Sequence, residues 1–347
     1  MEMIKKDSLL LTGAVIALGL AGCAKSPVYG LNDANKKYLE AYVTTYYPDA
    51  TPTALGSYII EQKDGDGDLL DSYDYIRCSY TVRTLDNQVS GTTDKILCQQ
   101  LGEYDPSYCY NPEIWDREDD ALYAGIEELI YGKHVGVYTK AIVPGWLLNS
   151  SRYDTAKEYL DNESGTNGIY EFKVVEAFDD VTVWETDSLV RFMKVHYPQV
   201  ETYDTMSVFD STKRYAQYYV RKKTSPYPDS TFDASAKVYL NYVGRRLDGV
   251  VFDTNIADTA KFYGIYDSGT TYGPTLINWG DTYDDLTMTS SETDIISGFK
   301  FALFYMKPYE AGTTIFHSQY GYSYSGSGNT IPSYSPLQFD LYLTDED

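Results

Sequence analysis

The sequence predicts an α+β protein of two tandem domains, each an antiparallel sheet wrapped around a short helix and each preceded by a short helix. Three observations carry this. Two alternating runs, Val238–Gly244 and Leu247–Asp253, flank Asp248-Gly249, the dipeptide that supplies the positive φ angles of a tight hairpin turn. Phe299, Ala302, Leu303 and Met306 recur at helical spacing behind Gly298, which allows close backbone approach. Leu337, Phe339, Leu341 and Leu343 alternate as a closing strand. The same order of elements is then found earlier in the chain.

Taken from the start, Lys5 and Lys6 precede an apolar stretch, Leu9–Leu20, too short to span a bilayer comfortably. It ends in Leu20-Ala21-Gly22-Cys23, which resembles a bacterial lipobox. Residues 1–22 then form a lipoprotein signal peptide, and Cys23 becomes the lipidated first residue of the mature chain. Residues 23–33 form a polar tether with Pro27, Gly30 and Asn32.

Ala34–Tyr47 reads as a helix with Tyr38, Ala41, Tyr42 and Thr45 on one face, stopped by Pro48. A second helix, Asp187–Tyr197, carries Leu189, Phe192, Met193 and His196 and stops at Pro198. Tyr46-Tyr47-Pro48 and His196-Tyr197-Pro198 match 150 residues apart (198 − 48). Ser57–Ile60 parallels Gln217–Val220, and Tyr80–Asp86 parallels Tyr242–Asp248, 162 residues apart (242 − 80). Leu122–Leu129 echoes Ile295–Phe299, and Gly168–Val174 echoes the closing strand. The chain thus divides into 34–184 and 185–347, two copies of one unit. Asp64-Gly65-Asp66-Gly67-Asp68 has the opening of a calcium loop, but the twelfth position is Tyr75, so it reads as a solvated hairpin turn.

Composition bounds the chemistry. The 347 residues carry a net charge of −23, which excludes phosphate-backbone partners such as nucleic acid. The 37 tyrosines suit half-wet sheets and grooves, and aromatic-rich β-structure is the plainer account of them. Three scattered histidines give no metal centre, and no cofactor motif occurs. Beyond Cys23 there are Cys78, Cys98 and Cys109. Export places them in an oxidising space, where at most one internal disulfide forms, and Cys98–Cys109 is the pair expected.

The C-terminal motifs, in this order, resemble the FKBP-type peptidyl-prolyl isomerases, over about a third of the chain. The resemblance implies a proline pocket lined by Tyr242, Phe252, Ile295, Ile296, Phe299 and Phe339. The Ile296 N–H would hold a substrate carbonyl, Tyr322 would offer its hydroxyl, Asp253 would sit at the rim, and Ile331 would cap one side. Phe299 stands where the family usually has tryptophan. Asp253 and Asp294 are 41 residues apart (294 − 253), longer than the family's usual connection. This 254–293 insert, with Tyr263, Tyr266, Tyr272, Trp279 and Tyr283, is either a cover for the pocket or an extra binding surface. The first copy has Asn87–Gly91 where the second has Gly249–Asp253, so wall and carboxylate are both missing there. It is a degenerate copy that keeps the fold.

Two readings follow. One is an exported, lipid-anchored prolyl isomerase that needs no cofactor and acts on proline-containing polypeptides of the cell envelope, at the outer membrane's periplasmic or surface face. The other is a non-catalytic accessory lipoprotein of the same fold that binds a peptide, a protein partner or a glycan. The first predicts that Tyr242, Phe252, Asp253, Tyr322 and Phe339 converge on one pocket. The second predicts that the insert fills it.

Overall fold

In a computed structural model, residues 30, 32–198, 204–205, 215–234, 236–288 and 295–344 are described. The expected signal peptide, Cys23, Pro27 and Asp294 lie outside the described residues.

The first copy runs α1 (Asp33–Tyr46), β1 (Tyr58–Lys63), β2 (Tyr75–Thr84), β3 (Val89–Thr92), α2 (Lys95–Leu101), β4 (Glu113–Asp116), α3 (Ala124–Ile130), β5 (Tyr138–Val143), α4 (Ala156–Asn162) and β6 (Gly168–Phe178). The second runs α5 (Val181–His196), β7 (Asp204–Thr205), β8 (Gln217–Lys223), β9 (Lys237–Arg246), β10 (Val251–Thr254), α6 (Ala257–Tyr263), β11 (Thr275–Asn278), β12 (Thr287–Met288), α7 (Ser297–Tyr305), β13 (Ala311–Phe316) and β14 (Leu337–Thr344). The sheets are antiparallel and have the same order. β1-β5-β6-β2, with β3 and β4 on β2, matches β8-β13-β14-β9, with β10 and β11 on β9.

Each sheet curls over its short helix because a glycine lets the two meet. A Cβ at Gly298 would lie 2.5 Å from the Phe316 ring, and one at Gly125 would lie 2.5 Å from Val143. Larger residues would push α7 and α3 off their sheets. The helix buries Phe299, Ala302 and Leu303 against the odd-numbered residues of β14. On the sheet's other face α5 packs Leu189 and Met193 against Val220 and Ile315, beside a polar network. There Asp340 accepts from Thr313 (2.6 Å) and pairs with Lys222 (2.9 Å) and Arg245 (3.2 Å).

Four expectations are corrected. In α1 the buried residues are Leu39 and Val43, an i,i+4 aliphatic pair, while Tyr38 and Thr45 face solvent. α5 begins at Val181, six residues before Asp187, because the Asp180 carboxylate caps the Thr182 and Val183 N–H groups. The Asp64–Asp68 segment is no hairpin turn, since β1 pairs with β5 and the chain must cross the sheet to reach β2. There Asp64 accepts from the His134 N–H and imidazole. Cys78, Cys98 and Cys109 are all free and buried. Cys98 lies in α2 beside the Tyr110 hydroxyl, and Cys109 lies in the seam between copies with its N–H on the Asn329 carbonyl (2.8 Å), so neither faces the other as a bonded pair.

The copies meet along that seam. Arg246, 3 % exposed, donates to the Ser107 and Tyr108 carbonyls of the first copy and to the Thr330 carbonyl of its own. Asn111 donates to Asp248 at the hairpin turn (2.7 Å). Helix α5 is pinned on both sides. Trp184 stacks on Phe178 and donates to Glu176 of the first copy, while Glu185 accepts from the Ser318 N–H and hydroxyl of the second.

Candidate functional site

β9 and β10 form the predicted hairpin, with Gly249 at φ +85°. Their pairing slips between Val251 and Asp253, a bulge at Phe252. In a regular strand, neighbours point to opposite faces. The extra residue lets Phe252 and Asp253 both serve the concave side, as bulges beside sites commonly do. Phe252 meets Phe339 edge-to-face (5.7 Å), and the Asp253 carboxylate accepts from the Tyr242 hydroxyl (2.9 Å).

The rings close into one cluster. Phe299 packs edge-to-face on Tyr242 (5.7 Å) and on Phe339 (5.2 Å). Gly244 makes room for this wall, since a Cβ there would lie 2.8 Å from Phe339 and 3.0 Å from Phe252. Ile295 and Ile331 are buried in the same cluster, with Ile296 and Tyr322 packed at its edge. The Ile296 carbonyl caps α7 by accepting from Phe299 and Lys300, while its N–H has no partner among the described residues.

Electrostatics follow the packing. Asp253 is exposed as a residue, but its carboxyl end leans on the ring wall. Loss of water there raises its pKa, and the Tyr242 hydroxyl and Thr254 N–H pull the other way. Burial raises the Tyr242 and Tyr322 phenols, and the Asp253 charge raises them further. Both hydroxyls therefore stay protonated as donors.

Every pocket residue the sequence pointed to is thus in or against one cluster. The insert contributes Ile277, Trp279 and Leu286 to the same core, but the ring neighbours of Trp279 are not the pocket rings. Trp279 packs on Phe232 (4.5 Å) and Phe304 (5.9 Å). Tyr263 lies over Arg245 (5.4 Å), on the face opposite α7. Tyr266 stacks on Tyr272 (5.0 Å).

Nor is the insert peculiar to the second copy. The first has the same arm, with Tyr104 stacked on Tyr110 (5.7 Å) and Lys95 over Tyr104 (5.3 Å), as Lys261 lies over Tyr266 (5.2 Å). The Tyr110 hydroxyl accepts from the Asp105 N–H, as Tyr272 accepts from Asp267. A signal was present in the sequence. Gly102, Tyr104, Asp105, Tyr110 and Pro112 recur as Gly264, Tyr266, Asp267, Tyr272 and Pro274, all 162 residues on (264 − 102).

The C-terminal domain is thus an antiparallel sheet curled over a central helix, with an aromatic cluster between them. Residues 229–344 match the family model of the FKBP-type peptidyl-prolyl cis-trans isomerases. The C-terminal copy belongs to that family.

Three solved structures are similar in outline. The three FKBP domains of wheat FKBP73 are 14 % identical, over 83 % of this chain and 93 % of that one, with a TM-score of 0.28. A peptidyl-prolyl isomerase of Pseudomonas syringae pv. tomato is 20 % identical, over 48 % and 96 %, with a TM-score of 0.30. FkpA from Escherichia coli is 18 % identical, over 48 % and 62 %, with a TM-score of 0.30. No curated protein matches the chain.

Proposed function

We propose that the chain is an exported lipoprotein, anchored through Cys23 in the bacterial cell envelope, whose C-terminal copy isomerises prolyl bonds in envelope polypeptides. The observation that carries the reaction is the Tyr242–Asp253 hydrogen bond at the lip of the edge-to-face ring cluster. Rotation about the peptide bond is slow because amide resonance sets a barrier of about 18–20 kcal/mol. The twisted amide has lost resonance and is less dipolar than the planar one. A water-poor aromatic wall therefore favours the twisted form over the ground state.

Each residue has a task in that reading. Phe252, Phe299 and Phe339 enclose the pyrrolidine ring, with Ile295 and Ile331 closing the sides. The Ile296 N–H and the Tyr322 hydroxyl hold substrate carbonyls, so that twisting is confined to one bond. Asp253 orients Tyr242 and stands beside the rotating amide. No nucleophile or metal is called for. Support for the anchor is the Leu20-Ala21-Gly22-Cys23 motif. Among the described residues no helix is long and apolar enough to cross a membrane.

The test is a proline-limited refolding assay on the chain from residue 24, beside Phe252→Ala and Asp253→Ala. Acceleration that both substitutions reduce supports the reading, and a folded protein that gives no acceleration sinks it. Fatty-acid labelling in cells tests the anchor, which requires label on the chain and none on Cys23→Ser.

A further inference from the structure

The side of α1 that the sequence groups together, Tyr38, Ala41, Tyr42 and Thr45, is one the fold leaves largely uncovered. Leu39 and Val43 pack into the first copy's core. Tyr38 and Tyr46 are 53 % and 65 % exposed, and Ala34, Ala41 and Thr45 are exposed with them. At 3.6 residues per turn these five fall on one stripe with Tyr42. Tyr42 is half-buried at its inner edge, with the Tyr46 ring 4.7 Å from its own.

The stripe carries no charge. Asp33, Lys36, Lys37 and Glu40 lie on the other flank and sum to zero (2 − 2), in a chain of net charge −23. The Thr45 hydroxyl donates to the Ala41 carbonyl (2.7 Å), so its polar group is already met within the helix. The hydroxyls of Tyr38 and Tyr46, which can donate and accept, have no hydrogen-bond partner among the described residues. The face is therefore apolar over its rings and wet at its tips. That is the pattern tyrosine supplies in the headgroup zone of a bilayer.

Position points the same way. The chain is already fixed at Gly30, whose N–H donates to the Asp33 carboxylate (2.7 Å). Gly30 is seven residues on from Cys23 (30 − 23). Seven residues reach at most about 25 Å. A lipid on Cys23 would keep the first turn of α1 within that distance of the membrane. The helix is neutral, so headgroup phosphates repel it less than they repel the rest of the chain.

We propose that this stripe of α1 is a membrane-docking face, which seats the first copy on the headgroup zone of the bilayer that anchors the chain. The proposal rests on the lipid-anchor reading and not on the isomerase reading. Acyl chains hold the protein at the surface, and the docked helix sets how it stands there. The seat extends to the first copy as a whole, because Asn32 donates to the Leu160 and Glu163 carbonyls and Asn167 donates to the Asn35 carbonyl. A copy without the wall and the carboxylate thereby has a task that needs neither.

Hydroxyl-radical footprinting tests it residue by residue. The chain from Cys23 is coupled through that thiol to a maleimide lipid in phosphatidylcholine vesicles, so that docking is read apart from acylation in cells. Cys78, Cys98 and Cys109 are buried and do not compete for the label. Modification of Tyr38 and Tyr46 should fall at least threefold relative to the same chain coupled to a soluble maleimide. Phe262 and Tyr305, 81 % and 55 % exposed, should keep their rates. Ala41→Glu/Thr45→Glu, at two exposed positions, should return Tyr38 and Tyr46 to their soluble rates at unchanged melting temperature. Unchanged modification on vesicles, an equal fall at Phe262 and Tyr305, or protection that survives the glutamate pair would each overturn the proposal. So would protection that appears as the soluble chain is concentrated, which would mean that a second copy of the chain covers the face. Absence of fatty-acid label on Cys23 in cells sinks the anchor reading and this seat with it, whereas a labelled chain that shows no protection sinks the seat alone.

Discussion

The two copies share a backbone and differ in a handful of side chains. Sheet order, bulge, arm and helix-seating glycine coincide, while Phe252 faces Ser90, Asp253 faces Gly91 and Gly244 faces Val82 across the duplication. The devices that shape the fold are backbone devices: a slipped ladder, a positive-φ turn, a glycine under a ring. The chemistry sits in side chains that the slipped ladder aims. A copy can lose the second and keep the first, which is what the first copy has done.

The sharpest way to break this comparison is to make the second copy into the first. Phe252→Ser with Asp253→Gly removes the wall and the Tyr242 acceptor and leaves the bulge. Isomerisation should fall at least about 100-fold, roughly 3 kcal/mol of transition-state stabilisation, while melting shifts little. Gly244→Val is the steric counterpart. Its Cβ lands 2.8 Å from Phe339, so activity should fall by more than tenfold. The reverse change, Val82→Gly, should cost only about 1 kcal/mol of stability and leave activity alone. Matched refolding assays and melts on the variants decide it.

How legible all this was depended on which signal carried it. The hairpin, the stripe behind Gly298 and the period-2 strand were readable because each is a local pattern. The residues of the ring cluster were readable through the family motifs. The arm of the first copy escaped because its repeat is five residues scattered over eleven positions, with no apolar period. The seam escaped for another reason. Arg246 belongs to one copy and bonds the other, and no local pattern reports a contact across a seam. Glu185 escaped because the expected helix began at Asp187, so its place one turn before Leu189 on the buried face of α5 was not seen.

That carboxylate separates the copies by pH. Glu185 and His317 are 0 % and 1 % exposed, 3.3 Å apart. Burial pushes the Glu185 carboxyl up to about 8 and the His317 imidazole down to about 4, with Asp180 the nearby charge opposing the latter. In the first copy the same contact is made by amides. Asn167 accepts from the Gly145 N–H and donates to the Asn35 carbonyl.

The signs are opposite for the two acidic-range groups. Folding binds a proton at Glu185, so its contribution falls as pH rises from the unfolded carboxyl range through 8. Folding releases one at His317, so its contribution rises from about 4 to 6.5, and the two offset below 6.5. From pH 6.5 to 8 only the fall remains, on the order of 2 kcal/mol. Protection against hydrogen exchange in β13, after correction for the intrinsic base-catalysed rate, should therefore fall over that window while that of β5 stays constant. Glu185→Gln should make the two strands alike.

The smallest difference expected lies at the root of each arm. Asn255 accepts from the Tyr242 N–H (2.9 Å) and donates to the Leu240 carbonyl and the Thr275 hydroxyl. Thr93 makes the corresponding pair of bonds with the Tyr80 N–H and carbonyl. Replacing either with alanine leaves a backbone N–H unmet beside a sheet, costing roughly 1–2 kcal/mol, slightly more for Asn255, which makes one bond more. Activity is where the copies should part. Asn255 fixes the strand position that carries Tyr242, so Asn255→Ala should slow isomerisation several-fold with a rise in the substrate concentration needed for half-maximal rate. Thr93→Ala, with the same kind of loss in stability, should leave the rate unchanged. Equal slowing by both would mean that the first copy takes part in turnover after all, and the division of labour drawn between the copies would fall.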